Sequence, residues 1–170
     1  MNLSQINEIA FEADDRYPPL LQVLLAVQDE NPNHYISESA VGEIARALHV
    51  TRGRVYSTAS FYSEISLTPR GRNIIRVCIN APCENAGKKE ILEALKEILG
   101  ITIGETTDDG EFTMESVNCL GACYMSPAIK INDQIFGDLT REDLPGIIQK
   151  FRKERKEEEE HATGESSIDF

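Results

Sequence analysis

Apolar residues in the first seventy positions recur with a helical period. Leu3 to Ala13 forms a short candidate helix. Pro18-Pro19 opens a second, where a proline at the first helical position is tolerated because its missing N–H would have had no partner. Its apolar positions are Leu20, Leu21, Leu24, Leu25 and Val27, and Asn31-Pro32-Asn33 closes it. Ser37 or Ser39 can cap a third helix carrying Val41, Ile44, Ala45 and Leu48. Thr51 can cap a fourth, with Val55 and Ala59 on one face. Four short helices predict a small helical bundle over residues 1–70.

The pattern changes after Pro69-Arg70-Gly71. Asn73 to Ile79 is β-branched and weakly alternating, which predicts a strand. Lys88 to Leu99 places Ile91, Leu92, Leu95, Ile98 and Leu99 at helical spacing. Phe112 to Val117 predicts a second strand. Ala128 to Ile131 and Gln134 to Phe136 flank Asn132-Asp133, a dipeptide suited to a tight hairpin turn. Thr140 is placed to cap a last helix with Leu144, Ile147, Ile148 and Phe151. The order strand, helix, strand, hairpin, helix predicts an α/β domain over 71–152. A charged, disordered tail is expected over 153–170, in which Lys153 to Glu160 is a solvated run of alternating charge.

Composition narrows the class. With 170 residues, 41% of them apolar, the chain can build a core without cysteine staples. The longest apolar run, near Leu20 to Val27, is too short to span a bilayer, so no direct membrane insertion is expected. The N-terminus carries neither a basic region nor an apolar signal core, which makes a cytoplasmic location the default. The net charge of -12 argues against nucleic-acid binding, which depends on phosphate neutralisation by Lys and Arg. Ser39 to Tyr62 has the outline of a helix-turn-helix, yet Arg52 and Arg54 are too few cations for a phosphate-binding surface. These segments are read as packed helices. His34, His49 and His161 are scattered and assigned no role.

The candidate chemistry lies in four cysteines, all in the α/β part that follows residue 70. Cys78 and Cys83 are separated by four residues, and Cys119 and Cys123 by three. The first pair falls where a predicted strand gives way to a helix, whose free N–H groups favour a thiolate. The second pair also follows a strand, and Gly121 and Ala122 are small enough for the backbone to pass close to a bulky inorganic centre. Buried free cysteines fit the pairing poorly. A dithiol redox pair lacks the two-residue spacer of thioredoxin-type motifs. Structural zinc and a four-thiolate iron–sulfur cluster both accept these spacings, so spacing alone leaves the two open.

The surrounding residues carry more. Ala59-Ser60-Phe61-Tyr62-Ser63, Pro69-Arg70-Gly71, Ile75-Arg76-Val77-Cys78, Cys119-Leu120-Gly121-Ala122-Cys123 with Ser126-Pro127-Ala128, and Phe136-Gly137-Asp138-Leu139-Thr140 together resemble the small 2Fe–2S subunit of NADH dehydrogenases. The same family includes the equivalent subunits of NAD-linked hydrogenases and formate dehydrogenases. The resemblance covers about residues 15 to 152. It implies a helical bundle followed by a thioredoxin-like 2Fe–2S ferredoxin domain. It also implies one 2Fe–2S cluster, with Cys78 and Cys83 on one iron and Cys119 and Cys123 on the other. The implied partner is a larger flavoprotein subunit carrying FMN, the NAD(H) site and iron–sulfur clusters, within a complex of further subunits. No independent substrate site is expected on this chain, which would act as an electron-transfer subunit. Backbone N–H groups of Gly121, Ala122 and the start of the Cys83 helix are the expected tuners of the cluster. The chain departs from the pattern at Ile79-Asn80-Ala81-Pro82, where many relatives carry small and hydroxylated residues.

Overall fold

The computed structural model describes residues 4–6, 8 and 19–153. It divides into two compact units, Met1–Arg72 and Asn73–Phe170.

The first unit is helical. Of the helix expected over 3–13, residues 4–6 and 8 are helical and the rest lie outside the described residues. Three helices follow: α1 (Pro19–Asp29), α2 (Glu38–Ala47) and α3 (Arg52–Phe61). Ser37, rather than Ser39, caps α2 by accepting from the Ala40 N–H, and Thr51 caps α3 by accepting from the Arg54 N–H. Val23, Leu24, Val41, Ile44 and Val55 are fully buried in one shared core. The buried Gln28 side chain extends that core to the following loop. Its Nε2 donates to the Glu64 carbonyl at 2.9 Å and its Oε1 accepts from the Ser66 N–H at 2.7 Å. Arg52 is paired with Glu38 at 3.2 Å, which leaves still less positive charge on the surface with the helix-turn-helix outline.

The second unit is a four-stranded mixed sheet with helices. In chain order it contains β1 (Asn73–Cys78), α4 (Ala81–Asn85), α5 (Lys88–Leu99), β2 (Phe112–Val117), a short 3-10 turn (Cys123–Met125), β3 (Ile129–Ile131) and β4 (Gln134–Phe136). A final helix, α6, runs over residues 144–153; the rest of the expected tail lies outside the described residues. The strand order is β2-β1-β3-β4, with β1 parallel to β2 and antiparallel to β3, and β3 antiparallel to β4. The central strand β1 is buried along almost its whole length, as a β-branched strand covered on both faces must be. Ile75, Leu95, Phe112, Met114, Ile129, Ile131 and Leu144 form the middle of this core. On α5 the buried positions Ile91, Ala94, Leu95 and Leu99 make one stripe. Burying a side chain such as Leu95 contributes about 2 kcal/mol relative to leaving it in water.

Three local features add to the pattern reading or depart from it. The helix expected over Lys88 to Leu99 forms with those bounds as α5, and a separate short helix, α4, precedes it. Gly87 adopts a left-handed φ of 98° between α4 and α5, so Cys83 sits in its own short helix. Asn132 does turn the hairpin, at φ 51°, and its Oδ1 also accepts from the Ile74 N–H at 3.0 Å, tying the turn to β1. Thr140 does not cap α6 directly. A turn over 141–143 intervenes, and the Asp143 carbonyl accepts from the Ile147 N–H at 3.2 Å.

Asp143 instead holds that turn, its carboxylate accepting from both the Thr140 N–H (2.9 Å) and the Thr140 hydroxyl (2.7 Å). These bonds, the hydroxyl's first, draw its carboxyl below the usual carboxylate range. A depressed folded value stabilises the protein above the unfolded value of about 3.9, and that stability is lost as pH falls through the folded value. Asp143→Ala should therefore lower the melting temperature at pH 7, with the difference from wild type shrinking below pH 4 in thermal melts. Among the described residues no helix is long and apolar enough to cross a membrane.

Candidate iron–sulfur site

Sheet topology brings all four cysteines to one edge. Because β1 and β2 run parallel in the register Cys78↔Val117, both strands end at the same edge, and the segments that follow, α4 and the loop after β2, carry Cys83 and Cys119. The antiparallel register Val77↔Ile129 starts β3 there as well, which places the Cys123–Ala128 segment at that edge. The Ile79 N–H donates to the Val117 carbonyl at 2.9 Å, and the Cys78 thiol contacts the Asn118 carbonyl at 3.6 Å.

The two pairs differ in exposure. Cys78 and Cys83 are each 2% exposed, while Cys119 and Cys123 lie at the surface. None of the four is in a disulfide. Cys119 Sγ and Cys123 Sγ are 4.0 Å apart. Two thiolates sharing one tetrahedral ion at ~2.3 Å would stand ~3.8 Å apart, so this pair is spaced to hold one metal.

The thiols also sense one another. Burial, reinforced by the neighbouring Cys83, pushes the Cys78 thiol up against the pull of the Asn80 and Leu120 backbone amides. For Cys83 burial works the same way but is outweighed. The Ser126 hydroxyl, the Ala128 amide, Cys78 and the Lys88 cation bring it below the ordinary thiol value. Cys123 is raised, first by the hydrogen bond and charge of Cys119, and also by the charges of Cys83 and Cys78. The four sulfurs therefore belong to one electrostatic group.

Among the described residues, no three Cys, His, Asp or Glu side chains converge as they would around a single metal ion. A cluster with four thiolate ligands fits the donor set, which is all sulfur.

Backbone donors line the site. Gly121, at φ 75°, turns its N–H onto Cys119 Sγ at 3.3 Å, as its position between the cysteines suggested. The Ala122 carbonyl accepts from the Met125 N–H at 3.1 Å and closes the turn after Cys123. Two residues of the resemblance motifs, to which the sequence assigns no role, act as supports. Ser126, before a cis peptide bond to Pro127, places its hydroxyl 3.6 Å from Cys83 Sγ and donates to the Cys123 carbonyl at 2.9 Å. Gly137 packs against Met125, and the next residue's N–H, on Asp138, donates to the Met125 carbonyl at 2.7 Å. A hydroxyl three residues past a cysteine, and a glycine just after a strand, are the available signals for them.

A mixed sheet with four cysteines at one edge is the arrangement of a thiolate-rich metal-centre protein, and the sequence profile described as "Thioredoxin-like [2Fe-2S] ferredoxin" matches residues 6–152. The chain belongs to this family. It is 36% identical over 145 residues to an NADH-quinone oxidoreductase subunit of Rickettsia bellii, covering 82% of this chain and 86% of that protein. It is 35% identical over 148 residues to an NADH-quinone oxidoreductase subunit of Rhizobium meliloti, covering 87% of each. Among solved structures, an NAD+-reducing [NiFe]-hydrogenase in the air-oxidized state superposes with a TM-score of 0.70 at 23% identity. That match covers 84% of this chain and 24% of the hydrogenase chain, and it shows a shared fold.

Proposed function

We propose that this chain is the small electron-transfer subunit of a multisubunit NAD(P)-linked oxidoreductase, holding one 2Fe–2S cluster on Cys78, Cys83, Cys119 and Cys123. The observation that carries this reading is the grouping of four cysteines, as two pairs, at one sheet edge of a chain in this family. Residues 71–152 form the cluster domain in this assignment, residues 1–70 a helical bundle, and residues 153–170 a charged tail. Bound by four thiolates, such a cluster accepts one electron at a time at low potential, about -400 mV in plant-type examples.

The residues divide the work. Cys78, at the end of the central strand, and Cys83, in α4, supply a buried pair fixed by the sheet and by a short helix. Cys119 and Cys123 supply the solvent-facing pair on a loop shaped by Gly121. Amides of Asn80, Leu120, Gly121 and Ala128 point partial positive charge at the sulfurs and offset the negative charge gathered there. Hydride chemistry, which moves two electrons, belongs on a larger flavoprotein partner carrying FMN, the NAD(H) site and further clusters. The names of the two relatives, both subunits of NADH-quinone oxidoreductases, support that partner class. A zinc-stabilised interaction module is not favoured, given the family.

Anaerobically purified protein should be red-brown, with about two irons and two sulfides per chain and an EPR signal that appears only on dithionite reduction. A colourless protein with stoichiometric zinc that accepts no cluster on reconstitution would overturn the assignment.

A further inference from the structure

Among the described residues, the hydrogen-bonding groups that reach a cysteine sulfur from outside the four cysteines are backbone, with one side-chain exception near hydrogen-bond range. Ser126 Oγ stands 3.6 Å from Cys83 Sγ, in the first cysteine pair, and 2.9 Å from the carbonyl of Cys123, in the second. Ser126 is half-buried, and its loop is held from behind. The Asp138 N–H donates to the Met125 carbonyl at 2.7 Å, and the Leu139 N–H donates to the Pro127 carbonyl at 3.2 Å. The hydroxyl is therefore fixed between the two ligand loops.

A serine hydroxyl carries one proton. While Cys83 is a thiol, its S–H can donate to Ser126 Oγ, and the hydroxyl proton stays on the Cys123 carbonyl. Once Cys83 serves as a thiolate ligand, its sulfur can only accept. Among the described side chains, the Ser126 hydroxyl is then the one positioned to donate to it, by a rotation about Cβ–Oγ that leaves the loop in place. Such a bond to an anionic acceptor is charge-assisted, and it strengthens as negative charge on the acceptor grows. It favours the reduced form over the oxidised form.

We infer that Ser126 is a positioning residue that raises the reduction potential of the cluster by turning its hydroxyl from the Cys123 carbonyl to Cys83 Sγ. This rests on the cluster assignment above and adds to it a tuning side chain outside the ligand set.

The test is a potentiometric EPR titration of full-length Ser126→Ala, Ser126→Thr and wild-type protein, with iron and sulfide assayed in each. S126A should keep its iron and shift the one-electron equilibrium about ten-fold toward the oxidised form, equivalent to about 59 mV. S126T, which keeps the hydroxyl, should return the midpoint to the wild-type value. A residue that only shaped the loop would leave the midpoint unmoved. An unshifted midpoint in a fully loaded S126A protein would overturn the inference. Should S126A fail to load, Ser126→Gly removes the same hydroxyl and is titrated instead. Failure of both to load would overturn it too, by making Ser126 a requirement for assembly rather than a tuner. A wild-type protein without a 2Fe–2S signature would sink the cluster assignment itself, which separates the two failures.

Discussion

Replacing Cys83 with serine should strip the protein of most of its visible absorption and most of its iron. Cys83 is 2% exposed in a short helix beside the central strand, and it is held below the ordinary thiol value despite that burial. A serine alcohol there does not ionise near neutral pH and gives no thiolate donor to an iron, and clusters of this kind are held by thiolates. Burial also keeps water from serving as a substitute ligand at that position. The corresponding change at Cys119, on the exposed loop, should be milder, because solvent or a neighbouring group can reach the vacated position. Iron and sulfide assays with visible spectra of both variants check this. A C83S protein with a wild-type spectrum would remove Cys83 from the ligand set.

Gly137→Ala should be nearly as damaging, although it touches no cysteine. A Cβ built on Gly137 would lie 2.6 Å from the Met125 carbonyl oxygen and 2.6 Å from Met125 Cβ, and would meet Met125 Cγ as well. The side chain could swing away, but the carbonyl cannot do so freely, because it accepts from the Asp138 N–H. The strain therefore passes into the Cys123–Met125 turn and on to Ser126. Overpacking of this kind costs about 1–3 kcal/mol, and here it displaces a cysteine-bearing turn. Lower iron content and a melting temperature depressed by several degrees are the expected results. Unchanged values for both would show that the turn yields without cost.

Much of the second unit is legible from the chain alone because its signals are local and strong. The apolar stripe of α5, the β-branched run of β1 and the Asn132-Asp133 hairpin each declare themselves within a dozen residues. The cysteines are legible for another reason: two close pairs need only sequence spacing to be noticed. What escapes is short or depends on contacts between distant segments. The short helix α4 ahead of Gly87 is five residues long and offers no helical period to read. Ser126 and Cys83 are 43 positions apart, so nothing local marks their contact. The role of Gly137 is set by the backbone of Met125 rather than by a turn of its own. The helix α6 begins at 144 rather than beside Thr140 because the Asp143 carboxylate, accepting from the Thr140 N–H and hydroxyl, closes a turn first.

The parallel pairing of β1 with β2 has a practical consequence for anyone wishing to wire or tag this protein. The cysteines gather where the two strands end, whereas residues 101–111 enter β2 at the opposite edge, beside Asn73. The strand between is ~16 Å long at roughly 3.3 Å per residue. A peptide epitope, a fluorophore or an electrode linker grafted near Asp108 would thus sit a full strand length from the cysteine-bearing edge. Reporter and cysteine cluster could then be engineered independently on one small scaffold.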